Sequence, residues 1–187
     1  MKKNLLISLK LTAVLIILTA GVYPLLISFI GKATPGGGKG ETIMVNGKVV
    51  GYSLIGQKFT LDKYFWGRPS AVDYNAAGSA GSNKGPSNPD YLTLVQARID
   101  TFLVHNPGIK KEQISADLVT ASGSGLDPDI SLESAQIQVP RIAKLRGLTE
   151  EKLKELVHQH TERPLLGLLG PSKINVLKLN VALDEMK

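Results

Sequence analysis

Residues 11–31 constrain this chain more than any other stretch. These 21 residues contain no Asp, Glu, Lys, Arg or His, and eight of the ten from Leu11 to Ala20 are Leu, Ile, Val or Ala. A helix of that length reaches about 32 Å at about 1.5 Å per residue, enough to cross a hydrocarbon layer of about 30 Å. Gly21 and Pro24 lie inside the run. Both penalise a soluble helix but are tolerated in a membrane helix, where neighbouring groups re-satisfy the backbone. Tyr23 and Phe29 stand toward the far end, where aromatic rings suit a membrane interface.

The flanks set an orientation. Lys2, Lys3 and Lys10 precede the run and no acid appears before Glu41. Short basic segments stay in the cytoplasm, so the N-terminus is expected inside and everything after residue 31 outside. A cleaved signal peptide would have a shorter apolar region and an Ala-x-Ala-like site, and neither pattern is met. The expected organisation is a short cytoplasmic N-terminus (1–10), a transmembrane helix (11–31), a Gly-rich linker (32–41) and one extracytoplasmic soluble domain (42–187).

Composition narrows the function. The net charge is +6, but three of the 22 basic residues precede the span, leaving 19 against 16 acidic residues in the rest. The basicity is thus partly a topology signal, and no basic–aromatic interleaving points to nucleic acid. The chain has no Cys, which excludes disulfides, thiolate metal sites and thiol redox chemistry.

After the linker, Asn46-Gly47 between Ile43, Val45, Val49 and Val50 predicts a β-hairpin with a two-residue turn. Residues 61–66 read as a short apolar–aromatic segment with one helical turn. Residues 67–89 are rich in Gly, Ser, Pro and Asn, with only Val72 and Tyr74 large and apolar. A loop that long in a compact domain is functional or disordered, and its turn signals favour an ordered, exposed loop. Asn88-Pro89 then opens a helix whose Leu92, Val95, Ile99, Phe102 and Leu103 form a buried face. Residues 117–121 read as a short strand. Ser131 caps a helix that Pro140 breaks or kinks and Gly147 ends, and Thr149 caps an amphipathic helix with Leu153, Leu156 and Val157 inward. Residues 164–171 form a Leu-Gly turn segment. Residues 174–183 fit either a strand or, slightly better, a helix capped by Asn175. The fold class is α+β behind a single membrane helix.

Motifs for independent catalysis are missing. The Gly-Ser stretch 78–85 does not match a phosphate-binding loop. Residues 122–128 fit either an anion-binding nest or a plain turn. His158 and His160 point apart on a helix and do not share a ligand face. No G-x-S-x-G elbow or spaced triad is present. These residues describe a membrane-anchored binding or assembly module.

Longer blocks carry a resemblance. Phe-Trp-Gly-Arg-Pro-Ser at 65–70, Tyr74, residues 77–89, residues 117–131, Gln138-Val139-Pro140-Arg141, Arg146-Gly147 and residues 175–180 closely resemble the C subunit of the Kdp potassium-transporting P-type ATPase. The similarity spans essentially the whole chain. It implies a non-enzymatic subunit of a high-affinity potassium uptake pump, with a channel-like A subunit, an ATP-hydrolysing B subunit and a small F subunit as partners. It also implies a catalytic chaperone that raises the ATP affinity of the B subunit, with Gln138 at the nucleotide contact. Arg68, Tyr74 and Asn83 in the long loop are the expected partner contacts. The flanking lysines place residue 138 outside, away from cytoplasmic ATP. The alternative is therefore a scaffold or cap over the potassium entrance of the A subunit, without a nucleotide contact.

Overall fold

The computed structural model describes residues 2–164 and 166–186. Two compact units divide the chain near residue 42. The first holds one continuous helix, α1 (Lys2–Gly31), long and apolar enough to cross a membrane. Its middle, Ile17–Val22, is wound more widely, and the Tyr23 N–H bonds the carbonyl of Leu18, five residues back. Pro24 lies one residue further on and lacks an N–H to offer the carbonyl four residues back, and a local widening accommodates such a defect. Thr19 Oγ1 donates to the Leu15 carbonyl at 2.7 Å inside the same stretch. Residues 32–39 follow as bonded turns, with Gly37 N–H on Thr34 O and Lys39 N–H on Gly36 O.

The second unit begins with the expected hairpin, β1 (Thr42–Val45) and β2 (Lys48–Tyr52). Asn46 and Gly47 both take positive φ, 50° and 76°, as a two-residue turn matching strand twist requires. The next regular element is α2 (Pro89–His105), capped by the Asn88 side chain accepting from Tyr91 N–H. A second, three-stranded antiparallel sheet has the order β3 (Asp129–Ile130), β5 (Lys173–Asn175), β4 (Thr161–Glu162). Its register pairs Ile130 with Ile174 and Thr161 with Ile174. Between the strands run α3 (Leu132–Gln136), α4 (Val139–Arg146) and α5 (Glu150–Gln159), and α6 (Val176–Glu185) closes the chain.

Phe65, Ile142, Leu153, Val157, Ile174, Leu179 and Leu183 fill the main core. Phe102, Leu118 and Val119, with half-buried Trp66, Val95 and Ile99, make a smaller one beside α2. The mixed helix and sheet architecture behind one N-terminal apolar helix is as expected. Ser131 caps α3 by accepting from Ser134 N–H, Pro140 sits in the first turn of α4, and Gly147 ends α4 at φ 66°.

Three local expectations change. Residues 117–121 are not a strand: 116–118 wind into a tight 3-10 turn. That turn brings the Asp117 carboxylate to the start of α3, where it accepts from Ser131 N–H at 2.8 Å and Ser134 Oγ at 2.6 Å. Burial opposes ionisation of Asp117, but hydrogen bonds from Ser115, Ser134 and Ser131 hold its pKa below the usual value. On α2, Leu92 is exposed and Phe102 alone is fully buried, because the first turn of the helix lies outside the smaller core, which the helix meets from Val95 onward. In 173–185 the two readings divide the segment, a three-residue strand and then a helix capped by Asn175 accepting from Lys178 N–H. Within the Leu-Gly turn segment, Leu165 lies outside the described residues.

Candidate functional site

Phe65 and Trp66 sit between helices without a strand on either side. Buried backbone groups must still be paired. Here two side-chain amides do what a neighbouring strand would. Asn180, on α6, accepts from Phe65 N–H and donates to the Phe65 carbonyl, both at 2.9 Å. Gln138, at the break between α3 and α4, accepts from Trp66 N–H at 2.8 Å and donates to the Trp66 carbonyl at 3.1 Å.

The helix break explains why Gln138 is available. Its own N–H turns to Ala135 O, which frees the Ser134 carbonyl, and Gln138 Nε2 donates to that oxygen at 3.0 Å. Arg141 Nη2 donates to Gln138 Oε1 at 2.8 Å. The Gln138 side chain is fully buried and its amide holds four hydrogen bonds.

Arg141 extends this network. Its Nε donates to Asn106 Oδ1 at 2.8 Å, its Nη1 donates to the Asp62 carbonyl, and its guanidinium lies 4.7 Å from the Trp66 ring centre. Burial lowers the Arg141 pKa to about 10, against the opposing field of Asp62. Asn106 in turn donates to Phe102 O at the end of α2, and His105 Nδ1 lies 2.8 Å from Asp62 Oδ1. Buried polar groups thus tie α2, α4 and residues 61–66 together.

The long loop leaves from this root. Arg68 Nη1 pairs with Asp127 Oδ2 at 2.9 Å, and the Tyr74 hydroxyl donates to the Arg68 carbonyl. Ser70 Oγ donates to Gly125 O at 2.6 Å while accepting from the N–H groups of Val72 and Tyr74. Ser79 Oγ donates to Ser124 O at 3.0 Å. The loop therefore lies stitched onto the turn at 122–127. Gly125 makes the approach possible: at φ 66°, a Cβ there would meet Ala80 O at 2.7 Å and Val72 Cγ2 at 2.9 Å. Burial first, and the nearby Asp127 charge second, raise the Tyr74 pKa from 10.0 to about 12.

An open cleft of about 390 Å³ lies beside this root, lined by Lys58, Trp66, Arg68, Tyr74, Arg98 and Phe102 among others. It offers cations, aromatic faces and loop backbone, which is the chemistry of recognition. Arg68 pairs with Asp127 and Tyr74 bonds Arg68, while Gln138 is bonded to Trp66, two residues before Arg68. Asn83 is exposed in a left-handed conformation (φ 54°) outside that cluster. In the 122–128 turn, the N–H groups of Gly125 and Leu126 bond the hydroxyls of Ser122 and Ser124, so the turn is closed on itself. Among the described residues no three His, Asp or Glu side chains converge as a metal site. The sequence alone assigned no site role to Asn180, Arg141 or Asp62, and read Asn106 only as the end of the helix that Asn88 opens. The signal for Asn180 was there, since it is a polar residue on the helix face that carries Leu179 and Leu183.

Comparison with known proteins bears on the whole chain. The family model described as "K+-transporting ATPase, c chain" matches residues 5–185. The chain belongs to this family. It is 62% identical over 185 residues to the potassium-transporting ATPase KdpC subunit of Flavobacterium psychrophilum, covering 99% of this chain and 100% of that protein. The KdpC subunit of Flavobacterium johnsoniae is 63% identical over 185 residues, with 99% and 100% coverage. That of Bacteroides fragilis is 50% identical over 188 residues, with 99% and 98% coverage. Every residue of the Trp66–Gln138–Arg141 network and of the stitched loop lies within the segment matched by the c-chain family.

Proposed function

We propose that this chain is a non-catalytic accessory subunit of an ATP-driven potassium pump, and that its folded domain is an extracytoplasmic docking scaffold over the potassium entrance of the channel-like A subunit. ATP hydrolysis belongs to the P-type B subunit. Helix α1 packs among the pump's membrane subunits, the small F subunit included, through Thr12, Thr19, Ala20 and Gly21, where small side chains let backbones approach. The domain meets its partner along residues 67–89, with Arg68 and Tyr74 at the root and Asn83 further out.

The observation that carries this reading is the Gln138 amide. With four internal hydrogen bonds and no exposure, it could reach a nucleotide only by abandoning Trp66, Ser134 or Arg141. Leaving such buried groups unpaired costs about 1–3 kcal/mol each. Gln138 is in this reading a structural residue, not a ligand of ATP. The lysines before an uncharged span support an exterior domain.

Three measurements test it. The chain has no cysteine, so Val104→Cys, at a 78% exposed position, gives a single label site. A membrane-impermeant maleimide should label it in intact cells; labelling only after permeabilisation would overturn the exterior placement. Arg68→Ala should weaken co-purification with the pump beyond any loss of the domain's own melting temperature. A Gln138→Ala chain that melts normally but titrates ATP more weakly would replace this reading with the nucleotide-chaperone one.

A further inference from the structure

Between β4 and β5 the chain makes a short loop that projects leucines into solvent. Leu166, Leu168 and Leu169 are 84%, 85% and 61% exposed. The turn is real: Gly167 N–H donates to Pro164 O at 2.9 Å, and Leu166 and Gly167 take φ of 55° and 74°. A left-handed leucine is costly, having no short polar side chain to bond the local backbone. The loop accepts that cost while Leu166, Leu168 and Leu169 stay out of the core. Residues 164–171 carry no charge, and Arg163 and Lys173 stand at its two feet.

The loop has a definite neighbour. Its second foot runs into Asn175, whose Nδ2 donates to the Ser53 carbonyl at 2.7 Å, at the end of the β1–β2 hairpin. That hairpin is where the tether enters the domain, and its Met44, Val49 and following Leu54 are 58%, 57% and 71% exposed. The ten linker residues 32–41 reach at most about 36 Å when fully extended. Whenever α1 spans a bilayer, the start of the hairpin is therefore tethered within about 36 Å of the end of that helix.

From these features we infer that the leucine loop, with the adjoining hairpin, seats in the headgroup–acyl boundary of the lipid bilayer that holds the chain's own helix. The chemistry favours lipid over a protein partner. Specific protein contacts rest on Trp, Tyr and Arg anchors with directional hydrogen bonds, and leucine is under-represented among them. An uncharged run of Leu and Gly has little to offer but apolar surface, and exposed Arg163 at its first foot suits an anionic headgroup, while Lys173 at the other foot is paired with Asp129 and Glu162. The inference goes beyond the pump reading and holds for either leaflet.

The full chain, reconstituted alone into vesicles of phosphatidylethanolamine and phosphatidylglycerol, tests it. Leu168→Cys and Val104→Cys are each labelled with the polarity-sensitive fluorophore NBD. The Leu168→Cys probe should emit at shorter wavelength and be quenched by lipids spin-labelled about 5–10 Å below the surface. The Val104→Cys probe should keep an aqueous spectrum. Equal quenching of both probes by aqueous iodide overturns the inference. So does shielding of the Leu168→Cys probe that arises only when the other pump subunits are co-reconstituted, because the loop then contacts protein.

Discussion

Two loops of this domain contrast. Residues 67–88 are long, polar and rich in Gly and Ser, yet Ser70, Tyr74, Ser79 and Arg68 each bond a backbone or side-chain partner in the same domain. Residues 164–171 are short and apolar, yet Leu166, Leu168 and Leu169 are largely exposed. Polarity is therefore a poor guide to which loop is fixed. Order comes from whether backbone and side-chain groups find partners. A loop that satisfies itself internally is a rigid platform, whereas a loop that exposes apolar surface needs something outside the chain.

The contrast is sharpest at the root of the polar loop, where the largest effect is expected. Gln138→Ala removes an amide that pairs Trp66 on both sides and abandons Arg141. It should lower stability by about 3–5 kcal/mol, read as a large fall in the denaturation midpoint. A loss below about 1 kcal/mol would mean that water takes over those bonds and that the platform is not rigid there.

Arg68→Ala comes next. The Arg68–Asp127 pair is only partly buried, at 24% and 28% side-chain exposure, and Asp127 keeps a bond from Asp129 N–H. A loss of about 1–2 kcal/mol is expected. Asp127→Asn should reproduce most of it if the pair, and not the arginine stem, holds the loop.

Tyr74→Phe should cost about 1 kcal/mol at neutral pH, for one lost hydrogen bond. Its pH signature is more telling. The folded-state pKa is raised from 10.0 to about 12, so the fold binds the phenolic proton more tightly than the unfolded chain does. That stability is present below pH 10 and is lost as pH rises from 10 to about 12. Tyr74→Phe should flatten the alkaline limb of the stability curve in that window. An unchanged limb would place the alkaline sensitivity elsewhere.

The smallest effect belongs to the other loop. Leu168→Ser should change stability by no more than about 0.5 kcal/mol, because the side chain leaves no cavity. A clear destabilisation would erase the contrast by showing that the leucines pack within the domain after all.

Much of this was legible from residues. The Asn46-Gly47 hairpin, the caps at Asn88, Ser131 and Thr149, and the stop at Gly147 are local devices, and each stands where the chain announces it. The misread strand at 117–121 shows where locality ends. Its residues fit a strand by propensity, but Asp117 is drawn into a turn by hydrogen bonds from Ser131 and Ser134, 14 and 17 residues away. The site follows the same division. Gln138 was visible as a residue of interest through the family resemblance. Its partners were not, because Trp66 lies 72 positions away and no periodicity encodes that distance. Leu92 was assigned to a buried face that α2 possesses only from Val95 onward.

The pairing of Phe65 and Trp66 by Asn180 and Gln138 has a consequence for time as well as for structure. An irregular segment ordinarily exchanges its amide hydrogens through small local openings. These two N–H groups are held by amides rooted in α6 and beside α4, with Phe65 sealed in the main core. Their exchange should keep pace with the slowest protons of the central strand and not with those of the loop that starts one residue later. The boundary between the slow and fast clocks then falls between Trp66 and Gly67, at a single peptide bond.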